Sequence, residues 1–250
     1  SYLDEDLPEQ ERLFGKLECE HTLMSLLYSL DCYWMSHPMY LRGAQWKGEQ
    51  LQRAANMGFT IPASVISNQP NEVKGFMGHC KDGMIFKTMS TPTLAADEVS
   101  EEQRVTNGLP TTVVDSEMAE NLDSVRYMPC HFQEYISKQY ELRVTVIGEH
   151  VFAAKIHSQD DERTKTDFRD YSAEILYEKA ELPDLVAERC LQFVHSYGLN
   201  YGAIDLIVTP DGEYVFLENN PAGQFWFVQE LVPELPMMET LADTLIKGNS

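Results

Sequence analysis

Asp205 sits inside the run Ala203-Ile-Asp-Leu-Ile-Val208, and Glu218 and Asn220 close the run Tyr214-Val-Phe-Leu-Glu-Asn-Asn220. A carboxylate among such apolar residues carries a large desolvation cost unless it is paired, hydrogen-bonded or bound to a cation. Between the runs stands Thr209-Pro-Asp-Gly212, with Pro second and Gly fourth, as a type I turn prefers. The expected hairpin sets Thr209 opposite Gly212, Asp205 opposite Phe216 and Ala203 opposite Glu218. Asp205, Glu218 and Asn220 then share one face. Two carboxylates and an amide suit a hard divalent ion such as magnesium, commonly held by few protein groups together with nucleotide phosphates. A hydrogen-bonded polar network is the other reading of that face.

A second run, Tyr140-Glu-Leu-Arg-Val-Thr-Val-Ile147, puts Glu141, Arg143 and Thr145 on one face and Leu142, Val144 and Val146 on the other. Glu141 can accept hydrogen bonds from hydroxyls, and Arg143 can fork around a phosphate or carboxylate. A solvent-exposed antiparallel strand has the same pattern. Lys87, within Met84-Ile-Phe-Lys-Thr88, either snorkels to water or supplies a point charge for phosphate oxygens.

Positioning such groups requires ordered elements, and the periodicity predicts them. Leu13, Leu17, Met24, Leu27 and Leu30 predict an amphipathic helix after Pro8. A second helix runs from about Gln45 to Met57 and stops at Gly58. A strand over 59–67 follows, then a helix opened by Asn68 and Pro70, and a short strand at Met84. Residues 89–110 lack periodicity and predict a loop, whose length is compatible with a lid, a binding loop or surface disorder. Strands are expected at 131–136, 140–147, 151–157, 201–208 and 214–219. Helices are expected at 183–197 and 236–247, and 158–172 is irregular. This order indicates mixed α and β structure with much antiparallel pairing.

Composition narrows the partners. With 19 Lys and Arg against 40 Asp and Glu, the 250-residue chain carries a net charge of −21, which repels a phosphate backbone and argues against nucleic acid. The segment 138–169 is neutral: Lys138, Arg143, Lys155, Arg163, Lys165 and Arg169 balance Glu141, Glu149, Asp160, Asp161, Glu162 and Asp167. An anionic ligand could be held there, although chance clustering on a solvated loop gives the same balance. Five widely spaced cysteines without a Cys-x-x-Cys pair suggest neither a disulfide framework nor a zinc site; they read as structural and fit a reducing cytoplasm. No apolar run approaches the roughly 20 residues of a membrane span. The opening at Ser1, without methionine, reads as the interior of a longer protein.

Taken in order, Lys87, Gln133-Glu-Tyr-Ile136, Glu141-Leu-Arg143, Asp167-Phe-Arg169, Ala203-Ile-Asp205 and Phe216-Leu-Glu218-Asn-Asn220 resemble the motifs of the ATP-grasp superfamily. Val151-Phe-Ala-Ala, Ser158-Gln159, Tyr201-Gly-Ala-Ile-Asp and Leu217-Glu-Asn-Asn-Pro-Ala-Gly-Gln224 are similar to its microviridin-type, or graspetide, peptide ligases. The resemblance implies an α+β ATP-grasp fold, with two lobes whose antiparallel sheets hold ATP between them. Residues 1–60 would then end an N-terminal region and link onward, 61–136 form the central lobe, and 137–250 form the C-terminal lobe with the metal site.

In the same terms, Gln133, Glu134, Tyr135 and Ile136 form the adenine hinge, Glu141 contacts the ribose, and Lys47 and Lys87 contact phosphates. Asp205, Glu218 and Asn220 bind Mg2+, while Arg143 and Arg169 act on the transferring phosphoryl group and the substrate carboxylate. The implied reaction converts Asp or Glu side chains of a ribosomally made precursor peptide to acyl phosphates, which a hydroxyl or amine attacks to form ester or amide cross-links. A homodimer is implied too. Phe168 in place of Trp is instead similar to ribosomal-protein glutamate ligases, which keeps an amino-acid-adding ligase as an alternative. Asn219 and His157 also depart from the pattern, and Asn219 puts a polar group on the expected core face. A non-catalytic nucleotide-binding module is a third reading, against which both arginines and all three metal ligands weigh.

Residues 97–124 hold eight acids and one base, with a short helix expected near Ser116–Ser124. Glu120 and Asp123 there are candidates for binding a basic residue on a helical leader of the precursor. A merely solvated acidic face is the alternative.

Overall fold

The structure, a computed structural model, describes residues 6–90, 109–169 and 172–248. The expected loop 89–110 therefore falls almost wholly outside the described residues, as does the acidic stretch 97–102. Helices α1 (Glu9–Tyr28), α2 (Pro38–Gly43) and α3 (Lys47–Asn56) come first. Strand β1 (Ser64–Ser67), helix α4 (Pro70–Met77), strands β2 (Met84–Lys87) and β3 (Thr112–Val113) and helix α5 (Ser116–Glu120) follow. A 3-10 helix, Leu122–Tyr127, leads into β4 (Cys130–Glu134). Then come β5 (Tyr140–Ile147), β6 (His150–Ile156), β7 (Tyr177–Ala180), α6 (Asp184–His195), β8 (Tyr201–Val208), β9 (Tyr214–Asn220), α7 (Trp226–Leu231) and α8 (Met237–Lys247). The strands form two antiparallel sheets, ordered β1-β4-β2-β3 and β7-β6-β5-β8-β9, so the class is α+β as expected.

The larger sheet is buried on both faces at its centre. Leu142, Val144 and Val146 of β5 and Ile204, Leu206 and Val208 of β8 point into a core closed by α3 and α6. On the other face Ile147 and Tyr201 pack under α7 and α8 at one end. Glu141, Arg143 and Asp205 occupy the rest of that face and are buried, as is Thr145. The reading of Tyr140–Ile147 as a solvent-facing strand is thereby excluded. The smaller sheet rests on its own core, Val73, Met84, Leu122, Val125 and Phe132. Among the described residues no helix is long and apolar enough to cross a membrane.

Local chemistry explains the helix that matters most to the site. After α3, Gly58 turns left-handed at φ +84°. Gly58 N donates to Ala55 O at 3.0 Å and Phe59 N to Ala54 O at 3.0 Å, the double bond of a glycine-stopped helix, with Phe59 and Ala54 in the same core.

Elsewhere the structure corrects local expectations. The strand expected over 59–67 is divided: Thr60 bridges to Val215 of the larger sheet, and only Ser64–Ser67 joins the smaller one. Pro62 lies between them and has no N–H for a ladder. Pro70 does open α4, but Asn68 is not its cap; Gln69 holds that position and Ser67 Oγ accepts from Gln69 N. Helix α1 forms yet buries no residue, leaving Leu13, Leu17 and Leu26 more than half exposed. An apolar stripe signals a need for cover without saying what supplies it. Cys190 is buried, whereas Cys19 and Cys32 are exposed and so have no packing role to fill.

The hairpin register also differs. Gly212, at φ +81°, donates to Thr209 O, but Thr209 N pairs with Glu213 O, so the turn contains one residue more than expected. A bulge at Leu217 adds another: Leu206 faces Phe216, while Asp205 faces Glu218 and Ala203 faces Asn220. One inserted residue turns every following side chain to the opposite face, and a second turns them back. Asp205, Glu218 and Asn220 therefore share a face as expected, in a different register.

Gly202 tests this packing. A Cβ there would stand 2.5 Å from Asn219 Oδ1 and 2.7 Å from Val194 Cγ2, both on buried side chains with no room to retreat. Gly202→Ala is expected to lower stability by about 1–3 kcal/mol. Urea unfolding measures this; an unchanged midpoint would show that β9 and α6 yield freely at this point.

Candidate active site

A cleft of about 540 Å³ lies between the two sheets. In the smaller sheet Lys87 pairs across from His131 and Ile85 across from Gln133. Ile85, Lys87 and Gln133 reach the cleft. The chain then crosses from β4 to β5 through Tyr135 and Ile136. Tyr135 N donates to Gly83 O and Gln139 N to Val208 O, each at 2.8 Å, so the crossing is fastened to both sheets. With Pro62, Ile207 and Leu217 it makes one end of the cleft apolar. Gln133 Nε2 donates to Ser64 Oγ at 3.0 Å, while its Oε1 is buried without a partner among the described residues, an acceptor beside that apolar wall.

The other end is charged. Asp205 and Glu218 face each other across β8 and β9. Arg143 Nε lies 3.1 Å from Asp205 Oδ1, the two meeting as charges without a directed hydrogen bond. The Arg143 guanidinium also stands 5.7 Å from the Phe168 ring centre. Glu218 is met by Lys47 at 3.2 Å and by Arg169 at 3.5 Å. Lys47 donates in addition to Thr88 O at 2.9 Å, tying α3 to the end of β2. Asp167 grips Arg169 through Nε and Nη2 at 2.8 and 3.0 Å.

Burial pushes the Asp205 carboxyl up to about 6 against the pull of Arg143. Burial acts the same way on Glu218, but Lys47, Lys87 and Arg169 outweigh it and hold that carboxyl at about 2. Burial lowers Lys87 below the usual lysine range, partly offset by Glu218.

Most of the sequence-predicted residues converge here. Lys87, Gln133, Glu134, Tyr135, Ile136, Glu141, Arg169, Asp205 and Glu218 line the cleft, and Lys47 and Arg143 reach it through the carboxylates they pair with. Asn220 stands at the outer end of the same face, exposed, its Oδ1 accepting from Ala222 N at 3.2 Å. Glu120 and Asp123 lie outside the cleft on exposed surface, with Asp123 3.8 Å from Arg126.

Sequence reasoning missed Lys138, which it counted only toward charge balance. Its ammonium is buried against Glu141 at 2.5 Å and donates to Thr166 O at 3.2 Å. Thr111 and Thr166 also line the cleft from irregular segments, where no periodicity could announce them.

The donor set fits a magnesium ion. Two facing carboxylates are hard oxygen donors, and the buried Asp205 Oδ1 accepts no hydrogen bond from the described residues. Among the described residues no group of three His, Cys, Asp or Glu could hold a metal alone, so ligand oxygens would complete the shell.

No family model and no curated protein matches the chain. Solved structures do. Macrocyclase MdnC from Microcystis aeruginosa MRC, crystallised with precursor peptide MdnA, is 31% identical with a TM-score of 0.84, over 98% of this chain and 75% of that one. A Chryseobacterium gregarium RiPP-associated ATP-grasp ligase, in complex with ADP and a leader and core peptide, is 34% identical with a TM-score of 0.85, over 97% and 72%. Macrocyclase MdnB from Microcystis aeruginosa MRC is 29% identical with a TM-score of 0.76, over 98% and 73%.

His131, beside Lys87, links the cleft wall to stability. Both ring nitrogens are buried without partners among the described residues, and burial, then Lys87 and Lys47, push its pKa from 6.5 down to about 4. The unfolded chain takes up this proton near 6.5 and the folded chain only near 4. Stability from this site is therefore full above pH 6.5 and is lost as pH falls toward 4, by about 3 kcal/mol. His131→Leu is expected to remove that loss. Denaturant unfolding of both proteins at pH 7, 5.5 and 4.5 measures the difference, and parallel pH profiles would contradict a neutral buried His131.

Proposed function

The chain belongs to the RiPP-associated ATP-grasp ligases, and we propose that it uses ATP to cross-link a precursor peptide through side-chain esters or amides. The facing pair Asp205 and Glu218, at the charged end of a cleft whose other end is apolar, carries this reading. The apolar end suits a base and the charged end suits phosphates. Neighbours solved with a precursor peptide, or in complex with ADP and a leader and core peptide, support it.

In this reading Gln133, Glu134, Tyr135 and Ile136 form the adenine slot. Glu141, oriented by Lys138, takes the ribose hydroxyls, and Lys87 and Lys47 meet phosphate oxygens. Asp205, Glu218 and Asn220 hold Mg2+, which when bound neutralises phosphate charge. Arg143 and Arg169 hold the substrate carboxylate and the terminal phosphoryl group. A carboxylate oxygen of a precursor Asp or Glu attacks the terminal phosphorus and ADP leaves, giving an acyl phosphate. A Ser or Thr hydroxyl, or a Lys amine, then attacks the acyl carbon, gives up a proton and expels phosphate. This chemistry asks for positioning and charge neutralisation rather than a protein nucleophile.

The finer readings have narrower support. Glu120 and Asp123 are the proposed contact for a basic residue of the leader, supported by the acids Asp115 and Glu117 beside them. The apolar residues that α1 leaves exposed support a homodimer. Five free cysteines support a reducing compartment such as the cytoplasm.

Mass spectrometry of precursor incubated with enzyme, ATP and magnesium tests the reaction: cross-linking removes one water per bond, whereas amino-acid addition raises the mass. Asp205→Asn and Glu218→Gln, each folded by circular dichroism, are expected to reduce turnover by at least about a hundredfold, and Arg143→Lys by about as much because an ammonium lacks the guanidinium fork. Wild-type rates in these variants would refute the roles. The double variant Glu120→Lys with Asp123→Lys should weaken precursor binding and leave ATP affinity unchanged. Precursor binding as tight as wild type at low salt would place leader recognition elsewhere.

A further inference from the structure

β9 is the outer strand of its sheet, so its alternate peptide groups turn away from β8 with no strand to receive them. Two residues from the segment around α3 fill that edge, one on each side of Glu218. Before the bulge, Thr60 O accepts from Phe216 N at 2.8 Å. Beyond it, the Gln50 side chain acts as a neighbouring strand would. Gln50 Oε1 accepts from Asn219 N at 2.8 Å, and Gln50 Nε2 donates to Asn219 O at 2.8 Å. Gln50 Nε2 also donates to Ala44 O at 2.6 Å, and the side chain is buried, 2% exposed. Both bonds fall on the residue that joins Glu218 to Asn220. The Asn219 side chain takes no part, since its Oδ1 and Nδ2 have no partners among the described residues.

We propose that Gln50 is a positioning residue for the cation site. The inference rests on the magnesium reading above. A strand with an inserted residue can shift that insertion along its length, and each one-residue shift turns the side chains beyond it to the other face. The pairing with β8 and the Thr60 bond fix the near side of the insertion. Gln50 fixes the far side, because its amide matches Asn219 only when the N–H and C=O of that residue point out of the sheet. Glu218 and Asn220 then both present their side chains to the cleft face. Lys47, one turn earlier on α3, reaches the Glu218 carboxylate itself, so one helix face controls both the charge of Glu218 and the backbone that aims it.

The experiment measures Mn2+ as a magnesium surrogate, by electron paramagnetic resonance on the full chain with ADP, together with the Mg2+ concentration needed for half-maximal turnover. Gln50→Leu is expected to weaken Mn2+ about tenfold or more and to raise the Mg2+ requirement in parallel, as loss of a group that orients a metal ligand does. Turnover should recover in part at high Mg2+. Leu51→Ala, which loosens the neighbouring core residue, is expected to lower thermal stability without weakening Mn2+, separating aim from stability. If Gln50→Leu does not fold, Gln50→Glu carries the test, since it keeps the acceptor for Asn219 N and loses the donor to Asn219 O. Wild-type Mn2+ affinity in whichever variant folds, or equal weakening in Leu51→Ala, overturns the proposal. Glu218→Gln separates the two readings: loss of Mn2+ there with retention in the Gln50 variant defeats the positioning role alone, and retention in both defeats the magnesium reading.

Discussion

Two carboxylates, the buried Asp205 and the partly buried Glu218, stand opposite each other on adjacent strands. In a medium less polarisable than water, neither their mutual repulsion nor their loss of hydration is tolerable without nearby cations. The surrounding chain meets that demand from three separate places. Arg143 comes from the strand beside β8, Lys47 from α3, and Arg169 from the irregular segment before β7. Each group is needed only where the fold delivers it. Compensation is unequal: Glu218 has several cations and remains ionised, whereas Asp205 has one close partner and is the easier of the two to protonate.

The same constraint explains the charge distribution. A protein with a net charge of −21 repels anions at long range, yet the cleft sets Lys47, Lys87, Lys138, Arg143 and Arg169 against Glu141, Asp167, Asp205 and Glu218. At short range these matched cations, rather than the net charge, set the field inside the cleft. The other end of the cleft is apolar, with the buried acceptor of Gln133 beside it.

Edge strands usually need protection from pairing with other chains. Thr60 and Gln50 cover the outer edge of β9 at the stretch that carries Glu218. The bulge that would ordinarily loosen a strand is thereby held between two fixed points. Lys47 joins this arrangement to the smaller sheet through Thr88, so Glu218 and the end of β2 share one tether.

The resemblance of the ordered motifs to the ligase family implied the α+β class, while residue types and periodicity were sufficient for the central strands and the common face of Asp205, Glu218 and Asn220. These are properties of alternation and of local burial cost, which a single chain displays along its length. Lys138 stayed hidden because it acts from an irregular segment across a fold in the chain. Gln50 stayed hidden because a glutamine on a helix looks solvated until the strand it completes is seen beside it. The register of β8 on β9 was misread for the same reason: Gly212 and Leu217 each insert one residue, and whether insertions cancel depends on what grips the far edge. Burial of Glu141 and Arg143 on a central strand, rather than exposure on an outer one, was likewise decided by the neighbours that β6 and β8 provide. Such facts depend on which distant segments meet, and only the tertiary structure brings them together.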